Sequence, residues 1–169
     1  MKIIKKYGTA LLIKYKIFKD DRGFFYSSFN SDEFKKISKL KKINFLQENF
    51  SYSAKNVIRG MHYQTRPYEQ GKLIRVINGE ILDVIININR NSKFYLKKYY
   101  INLRENDQKL LWIPTGYAHG FLSKKKGTLV QYLTNNKYSK NHERSLKWND
   151  QNLKIKWGIK KAILSKKDS

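Results

Sequence analysis

His62 and Lys72 are the residues around which chemistry is easiest to build. The histidine sits in Val57-Ile58-Arg59-Gly60-Met61-His62-Tyr63-Gln64, a run that reads as a strand. Lys72 opens Lys72-Leu73-Ile74-Arg75-Val76-Ile77-Asn78-Gly79-Glu80, a second strand that ends in an Asn-Gly hairpin signal. Imidazole titrates near neutral pH and can remove a proton there. An ammonium can stabilise negative charge that develops only along the reaction path. On neighbouring strands the two would bring a base and a cation to one cavity. The segments Leu111-Trp112-Ile113-Pro114 and Ala118-His119-Gly120-Phe121 add a second histidine. Together these point to an enzyme site inside a β-barrel.

Metal chemistry is not expected. The chain has three histidines, His62, His119 and His142, with no His-x-His pair and no cysteine. A protein metal site needs three or four ligands at workable spacing. Strand parity adds a constraint on the base. His62 shares a face with Ile58, Gly60 and Gln64, whereas Arg59 points the other way. For Arg59 and His62 to line one cavity, the strand must lose its alternation between them, and Gly60 is where a bulge fits best. Tyr132 shares a face with Thr128, Val130 and Thr134, and its pattern alone reads as a core aromatic lining a barrel.

The positioning elements are mostly strands. Residues 11–18 alternate apolar and polar side chains. Asp20-Asp21-Arg22-Gly23 reads as a turn and 24–29 as an aromatic-rich strand. A short helix is expected from Ser31, acting as N-cap ahead of Asp32 and Glu33, to near Leu40. Residues 45–53 alternate again, with Phe45, Gln47, Asn49 and Ser51 on one face. Extended runs follow at 57–64, 72–78, 80–89, 94–103, 110–113, 119–123 and 128–134, mostly punctuated by Gly, Asn or Pro. Many short strands at this spacing predict an all-β sandwich or barrel. A helical turn is expected at 150–153, with Trp148 and Trp157 packing the tail onto the barrel.

Composition narrows the classes. At 169 residues and 40% hydrophobic, the chain is expected to form a single domain over 1–169 with a real core. The net charge of +23 raises nucleic acid or an anionic membrane as partners. The lysines are scattered in short runs, however, and no nucleic-acid recognition motif accompanies them. They read as a compositional bias that would still steer an anionic small molecule towards a cleft. No apolar run is long enough to span a bilayer, and the N-terminal residues lack a secretory h-region. No nucleic acid and no membrane are expected as partners, and a cytoplasmic location is.

Five motifs in order give a resemblance. Asp21-Arg22-Gly23-Phe24-Phe25, Asn56-Val57-Ile58-Arg59-Gly60-Met61-His62-Tyr63-Gln64, Gln70-Gly71-Lys72-Leu73, Leu111-Trp112-Ile113-Pro114 and Ala118-His119-Gly120-Phe121 resemble the dTDP-4-dehydrorhamnose 3,5-epimerase family. The likeness continues through Trp148-Asn149-Asp150 to Leu164-Ser165-Lys166-Lys167-Asp168, so it spans essentially the whole chain. It implies a cupin-type jelly-roll β-barrel with short peripheral helices, acting as a homodimer without metal or organic cofactor. It also implies a nucleotide-linked 4-keto-6-deoxy sugar as substrate. By the same likeness, His62 is the general base, Asp168 its carboxylate partner, Tyr132 the opposing acid and Lys72 the cation beside the 4-keto oxygen. Arg59 and His119 would line the sugar and diphosphate region. Arg22, Gln47, Asn49, Glu143 and Lys167 would complete nucleotide and diphosphate binding, with Arg22 commonly reaching the neighbouring subunit's site. Ser27 departs from the pattern, because the family usually carries an acid there.

The implied chemistry suits these residue types. Protons on C3 and C5 are both alpha to the C4 ketone, so removal of either gives an enolate on the same oxygen. Inversion then requires a proton from the opposite face. The reading is an epimerase acting at C3, C5 or both. Its alternatives are an epimerase of a GDP-linked 4-keto heptose and a non-catalytic sugar-nucleotide-binding cupin.

Overall fold

Side chains that alternate between core and solvent make most of this chain extended, and two antiparallel sheets close over one interior. The computed structural model describes residues 1–168. The first strands are Lys2–Tyr7 (β1), Ala10–Lys14 (β2), Phe18–Asp20 (β3) and Gly23–Phe25 (β4), followed by helix Ser31–Ser38 (α1). Then come Gln47–Ser53 (β5), Ile58–Gln64 (β6), Lys72–Asn78 (β7), Glu80–Asn87 (β8) and Lys98–Arg104 (β9). Lys109–Ile113 (β10), Tyr117–Ser123 (β11), Thr128–Thr134 (β12) and Glu143–Ser145 (β13) complete the strands. One sheet runs β1-β2-β10-β7-β12-β5 and the other β13-β6-β11-β8-β9. This is the all-β barrel that the strand pattern predicts and the cupin-type jelly roll that the family resemblance implies.

Three apolar layers hold it. Ile74, Val76, Ile85, Ile101, Leu111 and Tyr117 fill one half of the interior between the sheets. Outside the six-stranded sheet, α1 buries Phe34 completely, edge-on against Phe45 and Trp112. Outside the five-stranded sheet, the C-terminal tail packs Trp157 against Ile58, Met61 and Val84. The Trp157 indole N–H donates to the Trp148 carbonyl at 2.7 Å, so both tryptophans anchor the tail as expected. The tail then runs beside β6, bonded through Ile163 to Asn56 and Ile58. That return path carries residues 165–168 back to the barrel mouth.

Several local expectations are corrected. Asn30, not Ser31, caps α1, its side-chain oxygen accepting from the Glu33 N–H at 2.9 Å. The strand expected at 11–18 ends at Lys14, and β1 flanks it on the outer side. Residues 18–25 instead form a small exposed hairpin, β3-β4. Residues 94–97 are turns, closed by Lys97 N–H to Phe94 carbonyl. The helical turn expected at 150–153 does form, closed by Lys154 N–H to the Asp150 carbonyl at 2.8 Å, with the Asp150 side chain accepting from the N–H groups of Asn152 and Leu153. The Asn78-Gly79 signal does not make a hairpin. Strand β7 pairs with β10 and β12, and β8 pairs with β11 and β9. Gly79, at φ 88°, turns the chain from one sheet into the other.

Candidate active site

The half of the interior that the apolar core leaves open is a cavity of about 600 Å³, within the range of small-molecule sites. Its two long walls come from opposite sheets. On the six-stranded side, alternation turns Gln47 and Asn49 of β5, Lys72 of β7 and Tyr132 of β12 into the cavity. Their register is tight: Tyr132 lies opposite Asn49 and Thr134 opposite both Gln47 and Lys72. On the five-stranded side, Arg59, His62, His119 and Glu143 line the cavity, and the tail adds Lys167 and Asp168. Thus His62 and Lys72 are not on neighbouring strands, as first expected. They face each other across the barrel, which serves a shared ligand better.

The parity problem on β6 is solved where expected. His62 pairs with His119 and Arg59 with Phe121, so three steps on β6 match two on β11. The extra residue resets the alternation and lets both side chains reach the cavity. Gly60 makes this possible. It has φ 122°, and a Cβ there would lie 2.4 Å from the Gly120 Cα and 2.7 Å from the His119 carbonyl oxygen.

A carboxylate orients the His62 imidazole. His62 Nε2 lies 2.6 Å from Asp168 Oδ1, and Asp168 Oδ2 accepts from the Ser165 hydroxyl at 2.8 Å. Because an ionised carboxylate only accepts, the proton belongs on Nε2 and the lone pair on Nδ1. Burial lowers the His62 pKa below 6.5; Asp168 opposes this, while Lys167 and Lys72 reinforce it. The imidazole is therefore a neutral base at neutral pH. Across the cavity, burial raises the Tyr132 hydroxyl above its ordinary 10.0, so it keeps its proton.

Lys72 has no protein acceptor within hydrogen-bond distance among the described residues. Burial lowers its pKa to about 8, against the pull of Asp83 and Glu143 and with the help of Lys167. Arg59 is pinned at the rim, donating to the Ser53 hydroxyl at 3.1 Å and the Tyr52 carbonyl at 2.9 Å. Gln47 donates to Asn49 at 2.7 Å. Glu143 pairs with Lys167 and accepts from the Tyr138 hydroxyl at 2.8 Å. Burial works against its ionisation, but those two partners outweigh it and hold its pKa below 4.5.

Sequence reasoning missed two residues. Asp83 of β8 is fully buried and holds His119 Nε2 at 2.9 Å. An aspartate inside the apolar run Ile81 to Ile86 was the available signal, since buried carboxylates are rarely unpaired. Tyr138 had no such signal, being a loop tyrosine on the cavity rim. Two anticipated residues stand apart from this cavity. The Arg22 side chain is 90% exposed and paired with Asp20 on the β3-β4 hairpin. Ser27 is exposed and donates to the Phe29 carbonyl.

Fold and site together define an enzyme class: a cupin-type barrel whose cavity sets an imidazole–carboxylate pair opposite a tyrosine hydroxyl, groups able to move protons on a bound small molecule. A family model for dTDP-4-dehydrorhamnose 3,5-epimerase matches residues 6–169. The dTDP-4-dehydrorhamnose 3,5-epimerase of Shigella flexneri is 41% identical over 169 residues, covering 99% of this chain and 93% of that protein. The crystal structure of the Bacillus anthracis dTDP-4-dehydrorhamnose 3,5-epimerase with TDP and PPi bound matches with a TM-score of 0.93 at 38% identity, covering 99% of this chain and 95% of that one. A Legionella pneumophila dTDP-6-deoxy-D-glucose-3,5-epimerase in complex with dTDP-4-keto-L-rhamnose matches with a TM-score of 0.92 at 34% identity, over 98% and 88% of the two chains. The chain belongs to the dTDP-4-dehydrorhamnose 3,5-epimerase family and is a nucleotide-sugar 3,5-epimerase.

Proposed function

We propose that this enzyme inverts C3 and C5 of a dTDP-linked 4-keto-6-deoxy sugar, for carbohydrate biosynthesis in the cytoplasm. The observation that carries the proposal is the His62–Asp168 pair facing Tyr132 from the opposite sheet. His62 Nδ1 takes the proton alpha to the ketone. The electrons move to the C4 oxygen, where the Lys72 ammonium stabilises the enolate. Asp168 stabilises the imidazolium that forms. Tyr132 then protonates the same carbon from the other face, and the stereocentre is inverted. His119, held by Asp83, and Arg59 contact the sugar and diphosphate. Gln47, Asn49, Glu143 and Lys167 bind the nucleotide and the rest of the diphosphate. The dTDP-sugar named for the Legionella relative favours this substrate over a GDP-heptose, and the proton-transfer set speaks against a binding-only cupin.

The enzyme acts as a homodimer in this reading. Phe18, Phe24 and Phe25 on the β3-β4 hairpin are more than half exposed, as are Phe50 and Tyr52 on edge strand β5. Exposed apolar surface of this kind marks a protein contact. A second subunit covering it would bring Arg22 to that subunit's cavity.

The test is incubation with dTDP-4-keto-6-deoxyglucose in deuterated water. The parent incorporates deuterium at C3 and C5 and inverts both. His62→Asn stops exchange at both carbons, whereas Tyr132→Phe keeps part of the exchange and impairs inversion. A folded His62→Asn protein that exchanges at the parent rate would remove His62 from the base role.

A further inference from the structure

The main cavity has a rear extension. A small pocket of about 30 Å³ is walled by His62, Lys72 and His119 on the cavity side and by Gln64, Ile113 and Tyr117 behind. One water needs about 10–15 Å³ of such space and two to four polar partners, so one or two waters fit. Beyond it lies a surface cleft of about 400 Å³ that opens past Arg66, Asn89 and Arg90. Tyr63, Gln64 and Tyr117 border both the small pocket and the cleft, and Gln70 borders all three spaces. The three spaces therefore lie in a row from the substrate cavity to the surface, the arrangement that a proton path needs. Lys72, with no protein acceptor in reach, borders the first two.

Two successive inversions create a need for such a path. After the first, His62 holds the proton taken from carbon and Tyr132 is a phenolate. Both must be reset before the second carbon reacts, while the sugar nucleotide still fills the front of the cavity. We propose that water in the rear pocket resets the acid–base pair between the two inversions, exchanging protons with bulk solvent through the cleft. His62 releases one proton to this water. Lys72 gives one to the Tyr132 phenolate and takes a replacement from the same water, so charge and protons balance. The inference rests on the epimerase reading. Its new content is a solvent route behind the substrate, with Gln70 and Ile113 as its walls.

The test is single turnover of dTDP-4-keto-6-deoxyglucose by excess enzyme in deuterated water, comparing the parent with Ile113→Phe and Gln70→Leu. Phenylalanine fills the small pocket from its apolar wall, and leucine removes the polar group common to all three spaces. The parent is expected to place solvent deuterium at both carbons. In the variants the first exchange keeps its rate. The second is expected to slow by roughly tenfold, a modest share of what acid–base catalysis contributes, and to carry substrate-derived protium. If Ile113→Phe does not fold, Gln70→Leu decides alone. Folded variants with parent-like second exchange and full deuterium at both carbons would overturn the rear route while leaving the epimerase reading intact. A parent that exchanges at neither carbon would remove the epimerase reading, and the route with it.

Discussion

Asp168→Asn is the sharpest single perturbation of the site. The carboxylate is 7% exposed and 2.6 Å from the base, with Ser165 holding its other oxygen. Asparagine keeps the shape and removes the charge. In the ground state His62 is neutral, and after proton abstraction it is a cation, so the lost attraction falls mainly on the reaction path. A hydrogen bond to a charged group contributes about 1.5–3 kcal/mol. At about 1.36 kcal/mol per factor of ten, abstraction should slow by about 10- to 150-fold. The acid limb of the pH profile should move as well. His62 works as a base only above its pKa, and Asp168 raises that pKa. Removing the charge lowers it further, so the acid limb shifts to lower pH even as the rate falls. The assay is deuterium wash-in at C3 and C5 by NMR between about pH 5 and 9, the range over which perturbed histidines and lysines titrate. An unchanged rate, or an acid limb displaced upward, would refute the dyad.

Further expectations follow from neighbouring groups. Lys72 stabilises the enolate only as a cation, so kcat/KM should decline as pH rises through about 8, and Lys72→Arg should move that limb upward because guanidinium stays charged. Parallel alkaline limbs in parent and Lys72→Arg would exclude Lys72 as the group responsible. Gly60→Ala should cost more than about 3 kcal/mol in chemical denaturation, since a Cβ would meet Gly120 and His119 backbone atoms in a positive-φ conformation; near-parent stability would contradict that close approach. Mixing and reassembling Arg22→Ala with His62→Asn should recover about a quarter of parent activity, because half the dimers are mixed and each has one intact site. No recovery, with light scattering showing mixed dimers, would argue against a shared site.

The sequence by itself determined most of the central strands and much of the cavity's lining. Alternation over residues 128–134 corresponds residue for residue to β12, and the same rule turns Gln47 and Asn49 inward beside Tyr132. These are short-range effects, fixed by the two-residue period of an extended chain. Even the bulge at Gly60 was legible, because Arg59 and His62 lie on opposite faces of any regular strand. The tertiary structure decided which strands pair. Asn78-Gly79 reads locally as a hairpin, yet the chain crosses there between sheets, because β7 finds its partners in β10 and β12 and β8 finds its own in β11 and β9. It also decided what stands behind the histidines. Asp83 lies 36 residues from His119, and Asp168 lies 106 from His62. Local periodicity carries no record of such distances. They are set only when two sheets bury a common interior and the tail, anchored by Trp157, returns along β6.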